Sequence, residues 1–485
     1  MLTRILTSIL VLFAATPALL RLANGGSAFS AEAHMAVRAG AATSNITPPL
    51  GLEVVGGWRP VPSTHVHDEL HARCLVLDDG ATRLALVICD NLGIPRDVLD
   101  EAKRRIHEAV GLPADHVLAA ATHTHSSVSA YGPNRLAPNA EFNDYQEFLI
   151  SRIVDAVRTA VHRLEPAEIG WATAAEATQV FNRRWHMKPG EHLRNPFGGM
   201  DKVRMNPPRR SPDLIEPAGP IDPEIPLITV RSSDGRPIAL LANYSLHYVG
   251  GVERGAISAD YFAIFADRIQ ELMGADRQDP PFVGIMTNGT SGDINNIDFQ
   301  GTPPKVARYE KMRQVAHLVA GRVHEALSDV EYHKTVRLAA TTRELALAIR
   351  KPTPEQIAWA EELLARTDEP ADHTEHRQRV YARRFEKLAE APDEITILLQ
   401  AMRIGDVGIT TIPFETFAEI GLEIKEKSPL PRTFVISFGN GSYGYLPTPR
   451  HFELGGYETW MGTNNVEPQA SVKIVEGLLG LLGNL

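Results

Sequence analysis

Four apolar runs of this sequence end at side chains able to hold a metal ion. Val117–Ala121 runs into Thr122-His123-Thr124-His125, and Ile238–Leu246 ends at His247. Val407–Pro413 stops just before Glu415, and Phe434–Phe438 leads into the polar stretch from Asn440 to Tyr445. A buried strand that breaks into a polar residue delivers that residue to one edge of its sheet, where the ligands of α/β proteins collect. Two imidazoles, a carboxylate and a phenol converging from such distant segments suit a zinc ion (Zn2+) with one position open for water. The chemistry implied is that of a metal-dependent hydrolase.

Each of these residues also has an ordinary structural reading. His125 lies two positions from His123, so in extended chain both rings share a face, and one can bind metal while the other moves a proton or holds substrate. His247 closes an apolar run, where a histidine is often a core residue with a backbone partner. Glu415 would also sit well in the first turn of a following helix. Arg183 reads by default as a surface guanidinium, and Tyr445 and Tyr457 as packing aromatics. A rival pair, His65 and His67 with His71 nearby, has no apolar strand leading into it. The run from Asn288 to Asn296 is dense in small polar residues, and its glycines permit close approach of backbone to a ligand.

The elements that must position these residues follow from periodicity. Leu84–Cys89 is a continuous apolar run ending at Asp90, and Pro95 opens a helix whose Val98, Leu99, Ala102, Ile106 and Ala109 keep a 3.6 period. Gly111 and Pro113 stop that helix, and His116–Ala121 resumes as a strand. A strand–helix–strand unit of this kind is a right-handed crossover with parallel strands, which brings Asp90 and His123 to the same sheet edge and makes Asp90 a candidate substrate contact. Further helices are expected over Phe142–Leu164, Asp260–Met273, Lys305–Leu327 and Ser471–Leu482, with a strand at Phe282–Met286. Hairpins are expected at Leu227–Val230 with Ile238–Leu246, and at Ile395–Ile404 with Val407–Thr411. Residues 186–224, rich in Pro, Gly, Arg and Asn, read as a lid-like loop, and 352–393 as an exposed, charged helical pair. The whole reads as α/β: one domain with a mixed β-sheet core and flanking helices.

With 485 residues, 44% of them hydrophobic, the chain can bury a large core. A net charge of −10 argues against a broad nucleic-acid surface. Arg4, the apolar stretch Ile5–Leu20 and the small residues up to Ala31 have the pattern of a signal peptide over 1–31, with an exported (periplasmic or secreted) mature chain over 32–485. No other stretch reaches spanning length, so no stable membrane insertion of the mature chain is expected. Cys74 and Cys89 are expected to be two buried free thiols.

Taken in order, these segments resemble the catalytic N-terminal domain of the neutral/alkaline non-lysosomal ceramidase family. The resemblance runs from Ala39 to the C-terminus. It rests on Gly56-Gly57-Trp58, Ala121-Thr122-His123-Thr124-His125-Ser126, Asn182-Arg183, Ala242–His247, Gly292-Asp293, Pro413-Phe414-Glu415, and the pair Tyr445 and Tyr457. It implies that His123, His247, Glu415 and Tyr445 bind zinc. It further implies that His125, Arg183 and Tyr457 face the substrate carbonyl or its oxyanion, with Gly57 close by. Two departures mark a divergent, bacterial-type member. The family's reactive serine corresponds to Asn295, and an amide is no nucleophile, so attack by metal-activated water is expected, with Asp293 or His125 accepting the proton. The family's further C-terminal β-sandwich domain is expected to be lacking. The implied function is hydrolysis of a linear amide (N-acyl) bond in a small-molecule or lipid-like acyl substrate. The alternatives are an esterase or carbohydrate-directed hydrolase, and a catalytically silent binding protein that retains the pocket.

Overall fold

The computed structural model of the chain describes residues 36–485 except Trp58, Pro133, Asn134, Pro304 and Ala371. The leader expected over 1–31 and the aromatic of the Gly56-Gly57-Trp58 step therefore lie outside the described residues. Eight strands, β1 (Arg38–Asn45), β2 (His71–Asp78), β3 (Arg83–Cys89), β4 (Val117–Ala121), β5 (Glu165–Ala175), β6 (Glu224–Ser232), β7 (Pro237–Tyr244) and β8 (Val283–Asn288), form one sheet. Its order is β8-β7-β6-β5-β1-β2-β3-β4. Four more, β9 (Leu338–Ala348), β10 (Glu394–Ile404), β11 (Val407–Ile412) and β12 (Arg432–Ser437), form a second sheet in sequence order. Most neighbours are antiparallel, but three pairs are parallel: β3 with β4, β7 with β8, and β11 with β12. Every candidate metal ligand follows the C-terminal end of a strand in one of these parallel pairs.

The apolar runs are strands because both of their faces are buried. Along β3, Leu84, Leu86 and Ile88 enter the core between the two sheets, while Ala85, Val87 and Cys89 enter the core beneath helices α1 (Arg96–Val110) and α2 (Asp144–His162). Across the inter-sheet core, Leu75, Ile228, Leu241 and Ile285 of the large sheet share one cluster with Met402, Ile409, Phe434 and Ile436 of the small one. Helices α3 (Tyr261–Leu272) and α4 (Glu310–Ala326) cover the β6–β8 half of the large sheet. Outside the described pairs of strands lie α5 (Pro354–Leu364) and α6 (His373–Glu390), which pack on each other through Ala360, Leu363, Ala382 and Phe385. Helix α7 (Ala418–Lys427) and the closing helix, which follows α8 (Pro449–Leu454) and is numbered α9 (Ala470–Gly483), cover the outer face of the small sheet. The architecture is a mixed α/β single domain: helices, sheet, sheet, helices.

The large sheet curls until its two edges touch. Asn288, the last residue of β8, donates its side-chain amide to the Thr122 carbonyl just past β4, at 3.0 Å. The small sheet closes the gap: the Ala121 amide donates to the Phe438 carbonyl and the Asn440 amide to the Ala119 carbonyl. Beneath this seam, Lys103, 1% exposed, donates to Asn440 Oδ1 at 2.7 Å, and Asn440 donates in turn to Gln400 and Thr411.

Several expectations need correction. Residues 186–224 are not a plain loop: Arg184–Met187, Val203–Met205 and Leu214–Pro217 make a three-stranded sheet. Its ladder is built by tertiary pairing and broken by a register shift, which leaves no clean alternation in the sequence. Helix α4 begins at Glu310, and Pro95 caps α1 from outside its first turn. The segment 352–393 is more than a solvated pair, because Tyr381 and Phe385 of α6 are buried and Phe385 stacks on Phe197 of the 186–224 segment. Strands β5 and β9 gave no strand pattern, since Ala and Glu fill much of the first and Ala and Leu much of the second; pairing with β6 and β10 overrides that local preference. Cys74 and Cys89 are free and buried, as expected. No described helix is long and apolar enough to cross a membrane.

Candidate metal centre

At the end of β4 the chain turns sharply. His123 takes φ 71°, a left-handed conformation that is costly for a side-chain-bearing residue and places its ring in the seam between the sheets. The imidazole stacks on Phe438, which follows β12, with centroids 4.1 Å apart. His123 Nδ1 lies 2.6 Å from the Leu92 carbonyl, and His247 Nδ1 lies 3.0 Å from the Ser291 carbonyl. A carbonyl only accepts, so both Nδ1 atoms carry the hydrogen, which leaves Nε2 of each ring as the atom that can bind a metal. Those two nitrogens face the same oxygen: Glu415 Oε2 is 3.5 Å from His123 Nε2 and 3.8 Å from His247 Nε2. Neither His247 Nε2 nor Glu415 Oε2 has a hydrogen-bond partner, although both are buried. Glu415 is placed by a short parallel bridge to Tyr445, whose hydroxyl also reaches its carboxylate.

Two imidazole Nε2 atoms and a carboxylate oxygen facing one another in a buried space fit a cation. Ligands ~2.1 Å from a tetrahedral ion stand about 3.4 Å apart, close to both measured separations. His125 belongs to the same cluster, since one ligand atom each from His123, His125 and His247 lies within 4.8 Å of the others. Two of these rings are buried and His125 is half-buried, so the three together could bind a metal. His125 differs from the other two because its Nε2 sits 3.0 Å from His123 Nε2, while the Gly56 backbone lies against its ring. Burial, reinforced by His123 at His125 and by Arg183 at His247, holds both rings well below the ordinary histidine pKa, so both are neutral. Burial pushes Glu415 up, but His123, the Tyr445 hydroxyl and Arg183 outweigh it and keep the carboxylate ionised.

Arg183 is the cation of the site. Its Nη2 donates to Tyr445 Oη at 2.9 Å and to the Gly292 carbonyl at 2.7 Å, and its Nε to Glu458 at 3.2 Å. Burial works against its charge, but Tyr445, Glu458 and Glu415 hold the guanidinium protonated. Glu458 also takes Arg184 at 2.5 Å, so one fully buried acid anchors two adjacent arginines. Tyr457 lies edge-on to Tyr445, with centroids 5.7 Å apart, and burial raises its phenol above the ordinary range. Gly292 passes so close to Glu415 that a Cβ there would meet the Glu415 carbonyl oxygen at 2.4 Å.

Not every sequence candidate reaches the centre. Gly56, rather than Gly57, touches His125: a Cβ on Gly56 would stand 2.8 Å from the His125 side chain, whereas Gly57 has only the Arg59 carbonyl at 4.0 Å. Asp90 is buried against Arg73 and also accepts from the His71 amide, so its charge is spent inside the sheet. Asn295 donates to Asn206 at 2.7 Å and accepts from the Ile297 amide at 2.9 Å, so both ends of its side chain brace the local chain. Asp293 is fully buried, with one oxygen on Asn182 and the other on the Ala418 amide at the start of α7. It braces the segment that follows Glu415. His65 and His67 do not gather; His67 stacks on Tyr309 at 3.7 Å. Sequence reasoning missed Glu458, Phe438 and Asn288. Asn288 and Phe438 lay at the ends of runs already singled out and Glu458 sat beside Tyr457, but nothing in those neighbours told what each side chain would touch.

No protein-family model matches the sequence. The fold is similar to that of a neutral ceramidase from Pseudomonas aeruginosa, with a TM-score of 0.66 at 16% identity, covering 92% of this chain and 74% of that one. It is also similar to a ceramidase solved in complex with C2, with a TM-score of 0.69 at 17% identity over 92% and 75% of the two chains. At these identities the likeness is one of fold, and the fold is ceramidase-like.

Proposed function

We propose that the chain is a zinc-dependent hydrolase of a linear amide. The observation that carries this reading is that Nε2 of His123 and Nε2 of His247, each ring held through Nδ1 by a backbone carbonyl, face the unpartnered Glu415 Oε2. His123, His247, Glu415 and Tyr445 would hold the ion. Bound there, it supplies Lewis acidity, polarising a carbonyl and making water a nucleophile at neutral pH. The two ceramidases of similar fold act on amides, which supports an amide over other acyl bonds.

The remaining steps belong to the chain's own groups. His125, neutral and clamped between Gly56 and the Tyr248 ring at 3.8 Å, accepts a proton from the attacking water and returns it to the amine as the carbon–nitrogen bond breaks. Arg183 and the Tyr457 hydroxyl donate to the carbonyl oxygen as negative charge develops on it. Burial of Arg183 strengthens that interaction, and Glu458 keeps its guanidinium in plane. Asp293 and Asn295 serve as braces in this scheme, so no side-chain nucleophile is required. A leader over 1–31, cleaved on export from a hydrolase domain over 32–485, is part of the same proposal.

Metal analysis of the purified protein is the direct test. We expect one equivalent of zinc per chain, chelator-sensitive hydrolysis of N-acyl substrates, and loss of both in His247→Ala. A protein that binds no zinc, and whose His123→Ala variant behaves as wild type, would end the proposal. Turnover of esters but not amides would move the chain to the esterase class.

A further inference from the structure

Two cavities meet at Tyr457. The smaller, about 370 Å³, contains Glu415 and Tyr445 in its lining. The larger, about 970 Å³, is walled by the Arg59 segment, residues of the stretch 191–201, the strand Val203–Met205, the turn at Arg254, the first turn of α6, and Gly456, Tyr457 and Trp460. These walls adjoin the catalytic groups. The Asn206 amide, one residue past that strand, donates to the Arg183 carbonyl at 2.8 Å, and Arg59 lies three residues beyond Gly56, which touches His125.

The lining of the larger cavity runs against the charge of the whole. The protein carries a net charge of −10, yet five arginines and only two carboxylates line this cavity. Both carboxylates are already used. Glu191 pairs with Arg194, and Asp201 accepts from Asn195 and from the Trp460 indole. Arg59, Arg204, Arg254 and Arg377 pair with no carboxylate among the described residues. Guanidiniums gathered around one concavity repel each other and focus a positive potential into it. A bound anion relieves that repulsion, and the planar fork of arginine suits a carboxylate, sulfate or phosphate. The wall also presents apolar side chains, among them Leu193, Val203, Met205 and Trp460, beside these charges.

We propose that the larger cavity is an anion subsite, and that the substrate is a polar amide carrying a carboxylate, sulfate or phosphate, held by Arg59, Arg204, Arg254 and Arg377. The identity of the bond cleaved rests on the amidase reading; the anion site does not.

The test separates the two. Calorimetric titration of the purified protein with glutarate, sulfate and inorganic phosphate is expected to show single-site binding of at least one of them. Affinity should fall about tenfold or more in Arg204→Gln/Arg377→Gln, return in part in Arg204→Lys/Arg377→Lys, and weaken several-fold as salt rises from ~0.05 M to ~0.3 M. Unchanged thermal unfolding and zinc content in the glutamine variant exclude misfolding; if that variant misfolds, the salt dependence and the lysine variant decide. The His247→Ala protein should still bind the anion. Binding lost in His247→Ala but kept in Arg204→Gln/Arg377→Gln would assign the anion to the metal and overturn the subsite, as would no binding of any of the three. In the kinetic arm, glutaryl p-nitroanilide, or the hexanoyl amide of 3-carboxy-4-nitroaniline, should exceed hexanoyl p-nitroanilide about tenfold in kcat/KM, through KM. Preference for the uncharged substrate overturns the subsite. Turnover of none of them counts against the amidase reading and leaves the titration to decide the subsite.

Discussion

Substituting alanine at Gly56 should damage hydrolysis without removing the metal. Gly56 has φ 109°, and an added Cβ would stand 2.8 Å from His125 Cβ and Cγ and 2.9 Å from its Cα. The left-handed backbone costs a residue with a Cβ roughly 1–2 kcal/mol, and overpacking adds about 1–3 kcal/mol. His125 cannot yield outward, because the Tyr248 ring stacks on its far side at 3.8 Å. The strain of about 3 kcal/mol therefore divides between local destabilisation and a displacement of the imidazole by roughly half an ångström or more. Displacement on this scale lowers kcat/KM by about tenfold to a hundredfold. His123, His247 and Glu415 do not touch Gly56, so zinc content should stay at the wild-type level. Gly57→Ala is the control, since its Cβ would meet nothing closer than 4.0 Å. The assay measures kcat/KM on whichever acyl substrate the wild type turns over, with zinc determined on the same samples. Equal activity of the two alanine variants, or loss of zinc in proportion to activity in Gly56→Ala, would refute the role given to His125.

Two further outcomes test the support of the site. Burial lowers the Lys103 amine to about 8, below its unfolded value, so the folded state sheds its proton first and stability rises as pH climbs through the window between those values. Denaturant unfolding of wild type and Lys103→Met should therefore diverge in favour of wild type by about 2 kcal/mol between pH ~7.5 and pH ~10; parallel curves would show that the amine is not desolvated. Asn295→Ala removes the bonds to Asn206 and the Ile297 amide, and should cost about 1–3 kcal/mol in urea unfolding while leaving kcat nearly unchanged. A collapse of kcat to background in a folded, zinc-loaded Asn295→Ala protein would return this residue to the chemistry.

What the sequence determined was local. Uninterrupted apolar runs such as Leu84–Cys89 and Val407–Ile412 are strands because both faces of a central strand need apolar side chains, and that demand is written residue by residue. The polar residue that ends each run marks the sheet edge, so His123, His247 and Glu415 were legible as site candidates before any distance was known. The parallel β3–β4 unit was legible too, because an amphipathic helix joins two such runs. Tertiary structure alone decided which of these edges meet. The curl of the large sheet brings Asn288 to Thr122, and the small sheet sets Phe438 under the His123 ring; both depend on packing between segments hundreds of residues apart. The same holds for the tautomers, which Leu92 and Ser291 fix through backbone carbonyls that any residue type would supply. Gly56 could not be told from Gly57, nor could Asp90 be known to spend its charge on Arg73, because a side chain's partner across the fold leaves no pattern in its own neighbours.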